Sequence, residues 1–103
     1  MSPEEQLQAL YVAGFELQTF ERFPKTIGVL KYGCLAFLVP GVDGLQILGN
    51  PGWRMGESLG PLIQRPGRRI FLHKGEELEA TPERLAAFER FQSELKAILN
   101  PPQ

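Results

Sequence analysis

The sequence predicts an α+β fold: an antiparallel β-meander of about six strands in a curved sheet, with N-terminal and C-terminal helices packed on it. Three observations predict it. Helix-start signatures stand at both ends, at Ser2-Pro3-Glu4-Glu5 and at Thr81-Pro82-Glu83. Between them the apolar spacing changes from helical to alternating. The links between the alternating runs are too short for crossover helices, so consecutive strands are expected to pair antiparallel. At 103 residues the chain suits one domain, residues 1–103, with a single core.

Helix one is expected from Pro3 to Ala13. Ser2 supplies a capping hydroxyl, Pro3 occupies the first helical position, and Glu5 completes a capping box. Leu7, Leu10 and Tyr11 recur at helical spacing, and Gly14 can end the element in the left-handed region. From Phe15 the period changes, with Phe15, Leu17, Thr19 and Phe23 at alternate positions. Pro24 and Lys25 are expected to turn the chain into a strand over Thr26–Tyr32. Gly33 breaks that strand, and Cys34–Val39 is a continuous apolar run suited to a central strand. Pro40-Gly41-Val42-Asp43-Gly44 reads as a five-residue hairpin connection, after which Leu45–Leu48 returns.

Gly49 to Arg69 reads as a connector. Its 21 residues hold five of eleven glycines, three of nine prolines, the only tryptophan and four arginines against one acid, Glu57. Within it Leu62–Gln64 and then Arg69–His73 flank Arg65-Pro66-Gly67-Arg68, whose Pro and Gly suit a type II turn. Glu77–Ala80 is expected as a short edge strand. Thr81 then caps the last helix, which carries a stripe of Leu85, Phe88, Phe91 or Gln92, Leu95, Ile98 and Leu99 and stops before Asn100-Pro101-Pro102. Glu89, Arg90, Glu94 and Lys96 fall on its wet face. The element order also resembles that of pleckstrin-homology-type barrels, in which a curved sheet has a C-terminal helix across its mouth. That resemblance is one of element count and brings no function with it.

Composition excludes several functions. One cysteine rules out an intramolecular disulfide framework, and one His and one Cys cannot build a conventional zinc site, so no metal and no cofactor is expected. Cys34 lies in the most apolar strand, where a thiol is a core residue rather than a nucleophile. No G-x-x-x-x-G-K-[ST] loop is present. A net charge of −1 argues against a domain devoted to nucleic acid, and no run approaches the 20 or so apolar residues of a membrane helix. The chain reads as soluble and cytoplasmic, with no basic leader at Met1.

Charge is unevenly placed. Residues 49–69 sum to +3, whereas the first 21 residues hold four glutamates and no basic group. Trp53, Arg54 and Met55, with Arg65, Arg68 and Arg69, are therefore the expected contact residues for a protein partner or a small anionic ligand. The opposing structural reading folds Trp53 back as a lid on one end of the sheet, with Met55 filling gaps and the arginines pairing with helix glutamates. The alternative function is a small-ligand-binding protein or small enzyme with a pocket beneath the connector, drawing on Tyr32, Glu57 and His73. Single-stranded nucleic acid stacked on Phe20, Tyr32 or Trp53 is a third option. A homodimer through a strand edge or through Phe91 is also open.

Overall fold

A computed structural model describes residues 2–20 and 23–100; for Phe20, Phe23 and Pro24 it describes the backbone. Helix α1 spans Pro3–Val12. Eight strands follow: β1 Glu16–Phe20, β2 Phe23–Lys31, β3 Cys34–Gly41, β4 Gly44–Met55, β5 Ser58–Gly60, β6 Leu62–Arg65, β7 Arg68–His73 and β8 Glu76–Glu79. Helix α2, Pro82–Leu99, closes the order. The architecture is α+β and antiparallel, with β1 to β5 in a curled half-barrel and β6 to β8 in a second, three-stranded sheet.

Both helix starts form as their residues dictate. Ser2 Oγ accepts the Glu5 N–H and Glu5 Oε1 accepts the Ser2 N–H, each at 3.2 Å. Thr81 Oγ1 accepts the Arg84 N–H at 3.2 Å. Such caps satisfy helix-end donors that otherwise have no partner, worth about 1 kcal/mol each.

The hairpins depart from the expected boundaries in instructive ways. The turn expected at Pro24-Lys25 is absent, because β2 runs through both residues; the link between β1 and β2 lies outside the described residues. Pro24 is tolerated because ladder alternation points its backbone toward β1, where pairing is already irregular between Gln18 and Phe20. The Pro40–Gly44 link is shorter than expected, since Gly41 pairs with Gly44 around Val42-Asp43. Tyr32-Gly33 and Lys74-Gly75 both have left-handed φ angles, +57° and +83°, then +47° and +82°. Those are the angles of type I′ turns, whose twist matches that of the flanking strands. Gly67 has φ +73°, as the third residue of a type II turn requires.

Register decides what faces inward. Leu17 stands opposite Val29, Val29 opposite Ala36, and Leu38 opposite Ile47, so these side chains share the face covered by the helices. They join Leu10, Phe15, Phe71, Phe88, Phe91, Leu95 and Leu99 in one buried cluster drawn from both helices and both sheets. Phe91 is fully buried, 5.7 Å from the Phe15 ring, so the apolar stripe of α2 is spent inside. Gln6 ties three elements together: its Oε1 accepts the Leu45 N–H at 2.7 Å, and its Nε2 donates to Leu99 O at 3.5 Å. On the opposite face Leu30, Leu35 and Phe37 form a smaller cluster with Leu59. Among the described residues no helix is long and apolar enough to cross a membrane.

Candidate functional site

Residues 49–69 form no connector. The first seven complete β4, and the rest supply β5, β6 and the start of β7. Two local features let glycine and proline sit in strands. Leu35 pairs with Gly52 and Phe37 with Leu48, so Gly49-Asn50-Pro51 bulges out opposite Ala36 alone. Gly52 in turn lets the backbone of Gly60 approach where any Cβ would collide with it. This is why the expected count of about six strands becomes eight, in two sheets rather than one.

Within that frame the candidate residues point in different directions. Trp53, opposite Cys34, faces inward and packs on the core with its ring 5.5 Å from Phe71. A Cβ built on Gly33 would lie 2.7 Å from the indole, so the β2–β3 turn sits directly on the ring. Met55 packs against the same cluster. Arg54, one residue along, points to the outer face and is exposed, its Nε donating to Gly56 O at 3.2 Å across its own turn.

The other arginines gather at the β6–β7 hairpin. Arg65 and Arg68 are direct cross-strand partners, and Arg69 stands opposite Gln64 on the other face. The Gln64 amide donates to the carbonyls of Arg65 and Arg68, at 2.9 and 3.2 Å, bracing the turn. Arg68 bonds Glu77 at 3.0 Å. Arg68, Ile70 and Leu72 share a face and Glu77 pairs with Leu72, so this bridge runs across Ile70, which is fully buried. Its carboxylate therefore comes from β8, where the sequence suggested a helix glutamate. Arg65 and Arg69 have no carboxylate within ion-pair distance among the described residues. Like charges directly across a strand pair destabilise it, so the Arg65–Arg68 juxtaposition works against the fold.

The expected pocket residues are not joined. Glu57 is exposed in the β4–β5 turn, His73 is half-buried at the end of β7, and the Tyr32 hydroxyl bonds Glu94 of α2 at 2.9 Å. No hydrogen bond or ion pair links any two of Tyr32, Glu57 and His73. A cleft of about 270 Å³ does exist, but Asn50, Pro51, Pro61, Leu62, Phe88 and Gln92 line it, with no acid or base among them. Cys34 is fully buried, and burial pushes its thiol up to about 12. Among the described residues no group of three or more His, Cys, Asp and Glu is placed to hold a metal. The Tyr32 and Trp53 rings named for base stacking are engaged within the protein, and the side chain of Phe20 lies outside the described residues.

The sequence reading placed Arg90 and Glu94 on the wet face of α2, yet they form the most connected polar cluster. Lys31 Nζ lies 2.6 Å from Glu94 Oε1 and 2.6 Å from Ala13 O, and Arg90 Nε bonds Glu94 Oε2 at 2.9 Å. Lys31 also sits 5.0 Å from the Tyr32 ring centre, and Arg90 4.9 Å from it. The i,i+4 spacing of Arg90 and Glu94 was visible in the chain; their approach to a hairpin 63 residues away from Glu94 was not. The Lys31 hydrogen bond, followed by those from Tyr32 and Arg90, holds Glu94 down at about 2. A carboxylate depressed this way adds stability that is complete above its ordinary value of 4.5 and is lost as pH falls through about 2. Because the pair is partly solvated, about 1–2 kcal/mol is expected. Denaturant unfolding of wild type and Glu94→Gln checks this: their difference should shrink as pH falls from 5 toward 2, and a constant difference would refute it.

The chain matches no protein-family model, no curated protein and no solved structure. The geometry above therefore carries the functional argument.

Proposed function

We propose that this chain is a non-catalytic interaction module, cytoplasmic, whose β6–β7 hairpin offers Arg65, Arg68 and Arg69 to an acidic segment of a protein partner. The observation that supports this reading is a like-charged arginine pair at the tip of a braced hairpin, with two of three guanidinium groups lacking a carboxylate. Guanidinium groups are weakly hydrated and match carboxylates bidentately, so a partner's acids would supply the carboxylates that Arg65 and Arg69 lack. Arg54, exposed on β4, is a further contributor. Trp53 and Met55 support the sheet rather than touch the partner. With a net charge of −1 over the whole chain, an acidic segment fits better than a long polyphosphate strand.

A capped glutamate decapeptide is the test probe. At low ionic strength wild type should bind it, with affinity falling as salt rises. Arg65→Glu/Arg69→Glu should weaken binding at least about tenfold with little change in Tm, since Arg69 is exposed, Arg65 half-buried, and neither has an ion-pair partner among the described residues. Equal binding by wild type and the double variant would refute the proposal.

A further inference from the structure

A second surface, without charge, lies where the two sheets part. β4 is 12 residues long, but β5 pairs only with Trp53, Arg54 and Met55, which leaves the stretch from Gly44 to the bulge without a strand partner on that side, and α1 covers its Gly44-Leu45 end through Gln6. Ladder alternation fixes which groups point outward. The Lys31–Cys34 pair closes a two-residue hairpin, so Leu35, Phe37 and Val39 bond toward β4, and Gly52, Leu48 and Gln46 bond back. Leu45 and Ile47 therefore direct their backbone groups away from β3. The Leu45 N–H is already taken by Gln6. Ile47 keeps both an N–H and a C=O pointing outward with no protein partner among the described residues.

Open strand edges are normally guarded by charge. Three of the outer strands follow that rule: β1 carries Glu16, β6 carries Arg65, and β8 carries Glu76, Glu77 and Glu79, whereas the three-residue β5 carries no charge. From Gly44 to Pro51 there is no ionisable residue. This edge leads into the 270 Å³ cleft, whose walls are Pro51, Pro61, Leu62 and Phe88 and whose two polar side chains, Asn50 and Gln92, make no hydrogen bond among the described residues. An amide offers one acceptor and two donors, which complements a peptide group. The cleft is smaller than most sites for drug-sized ligands, roughly 300–1,000 Å³, and suits a single side chain.

We infer that this split is a docking slot for an uncharged, extended peptide segment of another protein, which adds beside β4 at Ile47, bonds Asn50 and Gln92, and seats one side chain in the cleft. Main-chain bonds supply affinity in such strand addition and the pocket supplies selectivity. Only one backbone pair and two amides are on offer, so binding is weak and salt-independent. That separates it from the arginine hairpin, which responds to salt.

The test uses the full chain and a capped heptapeptide of alternating threonine and valine with a central phenylalanine, followed by NMR. Saturable shifts are expected at the Ile47 amide and at the Asn50 and Gln92 side-chain NH₂ groups, unchanged by added salt. Asn50→Asp/Gln92→Glu should weaken binding about tenfold, while Arg65→Glu/Arg69→Glu should leave it unchanged. No saturation at millimolar peptide, or shifts confined to other residues, would overturn the inference. So would concentration-dependent shifts of the same groups without peptide, because a second copy would then occupy the edge.

Discussion

Replacing Trp53 with alanine is expected to lower stability by about 3 kcal/mol, the lower end of the range for large aromatic residues because the indole is only half-buried. In a domain of this length that corresponds to a Tm drop of roughly 12–20 °C. The loss has two sources. The ring's contact with Phe71, which itself meets Phe88 edge-on at 5.4 Å, disappears from the line of aromatics joining the half-barrel, the second sheet and α2. The β2–β3 turn at Gly33 also loses the surface beneath it. Thermal and urea unfolding check this, with acidic-peptide binding measured well below the lowered Tm. Unchanged stability with lost binding would return Trp53 to the contact surface.

Gly52→Ala should be at least as damaging, about 3 kcal/mol or more. The added methyl would meet the backbone oxygen and carbon of Gly60, and it would lie 2.9 Å from Leu59 Cδ1. Leu59 can move; a paired strand's backbone cannot shift without opening the β4–β5 ladder, so overpacking here has no inexpensive relief. Gly49→Ala is the control. Nothing lies within 4 Å of its Cβ position, and only the strain of φ +67° remains, about 1–2 kcal/mol. Circular dichroism and denaturant titration of the pair should show Gly52→Ala far less stable. Equal stabilities would mean that residues 52 and 60 do not approach as described.

Where sequence reasoning succeeded, the determining contacts were local. The caps at Ser2 and Thr81 are made within three residues, and the buried stripe of α2 follows from helical spacing alone. The four-strand meander was legible for the same reason, since each hairpin joins neighbours. Residues 49–69 were misread because glycine and proline have two uses. They interrupt regular structure, but they also permit the bulge at Gly49-Asn50-Pro51 and the close crossing of Gly52 and Gly60 that a curled sheet needs. Only the pairing partner distinguishes these uses, and that partner is not a local property. The same limit hid the Lys31–Glu94 pair, and the shared lining of one cleft by Asn50 and Gln92, each distant in sequence. Arg65, Arg68 and Arg69 were found because three cations around a Pro-Gly turn are a local signal, but the division between the two faces required the register.

In this protein, then, the arginine hairpin is to meet the partner while the tryptophan holds the sheet. NMR titration with the glutamate decapeptide, following the indole Nε1–H of Trp53 and the side-chain Nε–H groups of Arg65 and Arg69 in one sample, tests both halves together. Salt-sensitive shifts are expected at the two arginines with the indole resonance almost stationary. A large shift of the indole with the two arginines unmoved would contradict it.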